Sequence, residues 1–197
     1  MADRSLSSQT SSHRTPKTFA LSPASLRLTR IDSTVLRASS VPDQESSLRK
    51  HLDNLLRMEG AHLSFAEAVA SFPAALRGKK PKGAPHTAWQ LLEHMRLAQE
   101  DILDFSRNPD YRERKFPDDY WPGTEAPPSD DAWQNSVKQF EKDLKAMQKL
   151  VADAGHDLFA RFPHGQGQTL LREALLVADH NAYHLGQIVF LRKILEA

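Results

Sequence analysis

The sequence predicts an all-α protein, a four-helix bundle whose helices run up, down, down and up. Four segments repeat apolar residues at the three- and four-residue spacing of an amphipathic helix, and no segment alternates comparably as a strand. Each amphipathic helix must bury one face, and the four-helix bundle is the usual arrangement that buries four of them. A long Pro-rich link between the second and third helices supplies the crossover that this order needs.

The composition indicates a chain without disulfide bonds and without a membrane-spanning segment. Its 197 residues are 40% hydrophobic, include no Cys and carry a formal net charge of +1. The lack of Cys excludes a disulfide scaffold, thiolate metal sites and a cysteine nucleophile. No apolar run approaches the roughly 18 residues of a membrane span, and the near-neutral charge favours neither nucleic acid nor membrane as a partner. We therefore predict a soluble, cytoplasmic protein.

Residues 1–42 differ from the rest of the chain. They contain six Lys or Arg against two Asp, and many Ser and Thr without sustained apolar periodicity. Such a segment has too little apolar surface to offset the entropy of ordering. We predict a disordered or wrongly assigned N-terminal extension at 1–42 and one folded domain at 43–197. An Arg- and Ser-rich transit peptide stays open as an alternative.

The first half of the domain contains three predicted helices. The first, near 44–58, presents one apolar stripe of Leu48, Leu52, Leu55 and Leu56. A short helix follows, because Ser64 and Glu67 have capping-box spacing, and it is expected to end near Pro73. The second long helix opens with another capping-box pair, Thr87 and Gln90, and is expected to run to Asn108-Pro109. Its inward stripe comprises Leu91, His94, Ala98, Ile102 and Phe105.

The link at 107–129 has 23 residues, five of them Pro, and no periodicity. A helix over 87–106 is about 30 Å long, and an extended link of this size reaches further. The link can therefore return the chain to the start of the second helix and place the third parallel to it. Long links without regular structure are usually functional. Tyr120 and Trp121 are either a lid or a staple onto the bundle, and we favour the staple.

Two long helices complete the domain. The third begins at Ser129, followed by acidic residues that suit the positive end of a helix, and Gly155 is expected to stop it. Its stripe comprises Trp133, Val137, Phe140, Leu144, Met147 and Val151. The fourth begins at Thr169 and reaches the C-terminus, with Val177, His180, His184, Ile188, Leu191 and Leu195 on one face.

Three histidines on these inward stripes carry the chemical signal. His180 and His184 are four positions apart, so their Cβ atoms lie about 5–6 Å from each other on one helix face. His94 lies on the stripe of another helix. Three buried imidazoles leave donors and acceptors to satisfy, and one divalent cation satisfies all three rings. The spacing leaves a chance pairing open, because the chain has nine His.

From about residue 43 to its end, the chain resembles the DinB-like family of metal-binding four-helix bundles. The resemblance lies in Trp89-Gln-Leu-Leu-Glu-His94 with Ile102, and in Asp179-His180-Asn-Ala-Tyr-His184-Leu-Gly-Gln. It implies that His94, His180 and His184 bind a divalent ion and leave positions open for water or substrate. Zinc is the first choice, and nickel, iron or manganese also suit three imidazoles.

The resemblance also implies two classes of function. One is a metal-dependent enzyme, a thiol-dependent S-transferase or a hydrolase, acting on a small molecule such as a low-molecular-weight thiol. The other is a metal-binding stress or interaction protein without turnover. Open coordination positions favour the enzyme, whereas a fourth protein ligand favours the structural role. A homodimer is compatible with the family, although no residue decides it.

Other residues near the three histidines have weaker signals. The candidates to orient the imidazoles are Glu93, Glu173, Asp179, Asn181 and Gln187. Of these, Glu93 and Asp179 point about 100° away from the neighbouring His, whereas Glu173 lies on the inward stripe and is expected to approach the site. Arg172 either pairs at the surface or meets an anionic substrate. The segment 165–169 is either a flexible turn or, with His164, a wall of the metal cavity.

Overall fold

The computed structural model describes residues 33–58, 60–70 and 72–197, and the side chains within these ranges from residue 44 onward. Over these ranges the chain forms five α-helices and no β-strand, apart from one isolated bridge between Arg161 and Thr169. The predicted all-α class is confirmed. The helices are α1 Ser33–Arg57, α2 Phe65–Ala70, α3 Ala88–Arg107, α4 Asp130–Ala152 and α5 Leu170–Glu196.

The first helix begins earlier than predicted. It starts at Ser33 rather than near residue 44, so residues 33–42 of the predicted extension are helical. Apolar periodicity begins only at Leu48, and Pro42 normally argues against a helix interior. A helix that has nucleated extends at little cost per residue, and such an extension needs no apolar stripe. Residues 1–32 lie outside the described residues, and disorder there stays a prediction.

Capping residues fix the starts of the other helices where the sequence predicts them. The hydroxyl of Thr87 accepts a hydrogen bond from the Gln90 backbone N–H at 3.2 Å, and the Gln90 side chain accepts one from the Thr87 N–H at 3.0 Å. Ser129 and Thr169 cap α4 and α5 in the same way, at 3.1 Å and 3.2 Å. These contacts satisfy backbone donors that a helix start leaves free.

The long helices pack through their apolar stripes. Within the described residues, α1 and α3 each pack along both α4 and α5, and α2 contacts α5. The aromatic part of the core includes Phe65, which stacks on Phe140 with ring centroids 4.0 Å apart, and Trp133, which is 1% exposed. None of the helices in the described ranges combines the length and apolar character that a membrane span requires.

The link between α3 and α4 runs back along α3. Near its end, the Thr87 hydroxyl donates to the Glu125 carbonyl at 2.6 Å, and the Trp89 indole N–H donates to the Thr124 hydroxyl at 3.1 Å. The link therefore returns to the residues where α3 begins. On the way it passes over the middle of α3, where His94 lies.

Candidate metal centre

Helices α3 and α5 bring the three predicted histidines together. One ring nitrogen of each of His94, His180 and His184 lies within 4.8 Å of the others, and the Nε2 atoms of His94 and His180 are 3.1 Å apart. His94 is 7% exposed. Helix α5 supplies two of the rings because positions four apart share a face. This is the one such group of potential ligands in the described part of the chain.

The crossover orients His94. Its Nδ1–H donates to the backbone carbonyl of Tyr120 at 2.9 Å, so the neutral ring has its lone pair at Nε2, toward the other two histidines. The indole of Trp121 stacks on the same ring, with centroids 3.9 Å apart and an interplanar angle of 3°. Tyr120 and Trp121 therefore act as the staple that the sequence favours.

Gln187 orients His184. Its side-chain oxygen accepts a hydrogen bond from His184 Nδ1 at 2.8 Å, so this ring also keeps its lone pair at Nε2. The two residues are three positions apart on α5, which places them on neighbouring parts of one face. Gln187 is one of the candidates from the sequence, and the structure places it in the predicted role.

His180 differs from the other two rings because its Nδ1 is buried without a hydrogen-bond partner. The side-chain oxygen of the next residue, Asn181, is also buried and unpartnered. The Asn181 amide is fixed by a relay: its Nδ2 donates to Gln99 Oε1 at 2.8 Å, and Gln99 Nε2 donates to the Phe140 carbonyl at 2.7 Å. The relay leaves Asn181 Oδ1 as an available acceptor.

These polar atoms fit a bound cation. Two nitrogens on one metal ion at about 2.0–2.1 Å from it lie roughly 3 Å apart, close to the 3.1 Å between His94 and His180. Without a cation, His180 Nε2–H must donate to His94, which leaves His180 Nδ1 as an unsatisfied acceptor. A cation would require the Nε2 lone pair and place the proton on Nδ1, where Asn181 Oδ1 can accept it.

Burial lowers the pKa of all three imidazoles. The pKa of His180 falls to about 4, first through burial and then through the positive charge that His184 and His94 would carry, against the opposing effect of the neighbouring Asn181 side chain. Burial likewise lowers the pKa of His94 and of His184, against the opposing effects of the Tyr120 carbonyl and the Gln187 side chain. The neutral imidazole is the form that binds a metal, so the rings are ready for a ligand role at neutral pH.

A cavity of about 470 Å³, here called the imidazole cavity, opens at the three rings. Its other walls are mainly apolar and aromatic. They include Ala98, Ile102, Phe116, Leu176 and Tyr183. Cavities of this size and character accept small molecules. The open side of the histidine cluster therefore has room for water or for the reacting part of a substrate.

A second cavity, of about 580 Å³, adjoins the first and is here called the polar cavity. The two share Asp101, Ile102, Tyr120 and Leu176. The remaining lining residues are mostly polar and include His164, Gln166, Gln168, Arg172 and Glu173. The segment 165–169 is therefore a wall of this neighbouring cavity, not of the imidazole cavity.

Asp101 fastens the crossover at the boundary of the two cavities, and sequence reasoning missed it. Its carboxylate accepts hydrogen bonds from the hydroxyls of Tyr120 at 2.6 Å and Tyr111 at 2.9 Å. Burial and this carboxylate raise the pKa of both phenols, so their hydroxyls remain donors. The available signal was position: Asp101 follows His94 by two helical turns and lies on the same face of α3.

Two of the carboxylates that the sequence singles out lie away from the imidazoles. Glu93 points away from His94, as expected, and pairs with Arg96 on the same helix at 2.9 Å. The expectation for Glu173 is wrong: it pairs with Arg172 at 2.7 Å and lines the polar cavity. The reason is distance along α5, because seven residues separate Glu173 from His180, or about 10 Å of helix.

Comparison with known proteins places the chain in a family. The family model described as DinB superfamily matches residues 57–188. This range includes all three clustered histidines and most of the helices that carry them. Comparison with curated proteins and comparison with solved structures both gave no match.

Proposed function

Because this chain belongs to the DinB superfamily, we propose that it binds one divalent metal ion through His94, His180 and His184 and acts as a metal-dependent enzyme. The observation that carries the proposal is the meeting of three imidazoles from two helices beside an open cavity. Zinc is the proposed ion, since three protein ligands with an open position are typical of catalytic zinc sites. Nickel, iron and manganese are the alternatives.

Such an ion, when bound, supplies a Lewis acid that lowers the pKa of a water or thiol in its open position. The chain's own residues prepare the site around it. Tyr120 and Gln187 hold two imidazoles in the tautomer that can bind a metal. The walls of the imidazole cavity are mainly apolar, and apolar surroundings strengthen electrostatic interactions beside them. These features support an S-transferase that uses a low-molecular-weight thiol, or a hydrolase.

The alternative is a metal-binding stress or interaction protein without turnover, in which the ion only ties α3 to α5. The number of protein ligands separates the two. A structural zinc site is closed by four protein ligands, whereas a catalytic site keeps one position open. Within the described residues the cluster has three members and faces a cavity, which supports the enzyme.

The test of metal binding is elemental analysis of the purified protein and of single histidine variants. We expect one equivalent of a divalent metal in the wild type and its loss in His180→Ala and His184→Ala. His62→Ala, at an exposed position, is the matched control and should keep the metal. Retention of a full equivalent by both cluster variants would overturn the assignment. A screen of thiols with electrophilic substrates then separates an enzyme from a non-catalytic protein.

We further infer that the four long helices form the up-down-down-up bundle, with α3 and α4 parallel. Contacts between α3 and α4 support this order, because Glu93 meets Ser136 and, further along both helices, Gln99 meets Phe140. The contacts between α3 and α5 run in the opposite sense. Gln99 of α3 meets Asn181 of α5, whereas His94, which is earlier in α3, meets His184, which is later in α5, as expected for antiparallel helices. A cytoplasmic location and a homodimer are proposed as well.

A further inference from the structure

The polar cavity contains a buried carboxylate that the proposed metal chemistry does not use. Glu173 is 2% exposed and lines this cavity. Arg172 is its hydrogen-bond partner, through Oε1 at 2.7 Å, and the Arg172 side chain is itself 56% exposed. Among the described residues, the hydrogen bond to this carboxylate goes to Oε1, and Oε2 is not one of the fully buried unpartnered atoms. Oε2 therefore remains able to accept a hydrogen bond from a group in the cavity that Glu173 lines.

The charge of the lining favours a cationic occupant. Three carboxylates line the polar cavity, those of Asp101, Glu113 and Glu173, and Arg172 is the one Lys or Arg among the lining residues. Asp101 is already engaged, since it accepts two tyrosine hydroxyls and lies 3.6 Å from Arg114. Glu113 is exposed to solvent, so Glu173 is the buried carboxylate that has an oxygen left for a ligand. An excess of one charge in a cavity draws in groups of the opposite charge.

The two cavities together suit one elongated molecule. They share four lining residues, and their characters differ: the imidazole cavity has mainly apolar walls, whereas the neighbouring one is polar. Glu173 and His180 lie on the same face of α5, seven residues or about 10 Å apart. A ligand that touches both therefore carries its cationic group roughly 10 Å from its reacting group.

We propose that the polar cavity binds the ammonium group of the substrate, with Glu173 as the acceptor, while an apolar stretch of that substrate crosses the imidazole cavity. The substrate class is thus a primary amine with a thiol or another reactive group at its far end. This inference rests on the proposed function for the identity of the reacting end. The amine contact itself involves Glu173 alone and can be tested without a metal.

The test compares matched ligands by calorimetry at neutral pH. Hexylamine and hexanol are titrated into the metal-free full-length protein, and aminohexanethiol and mercaptohexanol into the zinc-loaded protein. We expect the amine of each pair to bind roughly ten-fold more tightly, the size of one charge-assisted hydrogen bond. Glu173→Gln should bind both members of each pair alike, and Glu173→Asp should keep a preference for the amine. Glu141→Gln, outside both cavities, is the control.

The possible outcomes separate this inference from the proposed function. Equal binding of amine and alcohol by the wild type overturns the amine site, as does a preference that persists in Glu173→Gln while that variant retains its helical circular dichroism. Failure of zinc to load, with the hexylamine preference intact and dependent on Glu173, overturns the metal proposal and leaves the amine site standing. Zinc loading with no amine preference overturns the amine site and leaves the metal proposal standing.

Discussion

The indole of Trp121 lies flat against the imidazole of His94, with ring centroids 3.9 Å apart and an interplanar angle of 3°. The imidazole of His86 stacks on the same indole at 4.0 Å, so Trp121 lies between two imidazoles. One residue earlier, the Tyr120 carbonyl accepts the proton of His94 Nδ1. The crossover thus controls both the orientation and the tautomer of one proposed metal ligand.

Replacement of Trp121 should weaken metal binding without unfolding the protein. Trp121→Leu removes the surface on which His94 rests and frees the ring to rotate away from the other two. Loss of a residue that orients a ligand typically costs 10–100-fold in metal affinity, and we expect about ten-fold here. Competition with a chelator measures the effect. Phe116→Leu alters the wall of the imidazole cavity without removing the ring that stacks on His94, and an equal loss in that control would contradict the stated role of Trp121.

The Asn181 relay makes a second prediction about metal affinity. Asn181→Leu removes the acceptor for a proton on His180 Nδ1, whereas Asn181→Asp keeps an acceptor there. We expect Asn181→Leu to lower metal affinity by about 10–100-fold and Asn181→Asp to bind metal at least as tightly as the wild type. Chelator competition on both variants gives the comparison. If the two lose affinity equally, Asn181 has no part in orienting His180.

The metal-free protein should lose stability in mild acid. A histidine in an unfolded chain has a pKa near 6.5, and the folded-state pKa of His180 is about 4. The unfolded chain therefore binds more protons between these values, so stability present above about pH 6.5 is lost as the pH falls toward 4. Melting temperatures over this range should fall, less steeply in His180→Gln. Exposed His62→Gln should follow the wild type; a flat wild-type profile would refute the burial argument.

The ionised side chain of Glu173 should lower the free energy of unfolding of the ligand-free protein at pH 7. Burial raises the pKa of Glu173 above its value in the unfolded chain, so the folded state binds this proton more tightly than the unfolded chain does. Stability that is present at low pH is therefore lost as Glu173 ionises with rising pH. Glu173→Gln removes the ionisation and should melt at a higher temperature than the wild type at pH 7, with the difference shrinking in acid. Thermal melts of the wild type and the variant at pH 7 and in acid measure this difference. A lower melting temperature for the variant at pH 7 would show that the Arg172 pair outweighs burial.

Local patterns in the sequence were sufficient for the starts of α3, α4 and α5 and for the shared face of two of the clustered histidines. Thr87, Ser129 and Thr169 mark helix starts because a capping side chain bonds to backbone only three residues away. His180 and His184 share a face because the helical repeat fixes their relation. The start of α1 at Ser33 escaped the same reasoning, since a polar helical extension has no apolar periodicity to reveal it.

Only the tertiary structure decided what surrounds the three histidines. The Tyr120 carbonyl and His94 are 26 positions apart, and Asn181 and Gln99 are 82 apart, so no local spacing signals either contact. Sequence position suggested that Glu173 approaches the imidazoles, but it lies in the polar cavity, formed where α3, α5 and two connecting segments meet. Periodicity shows which face a side chain is on, whereas its neighbours depend on how separate helices and links pack together.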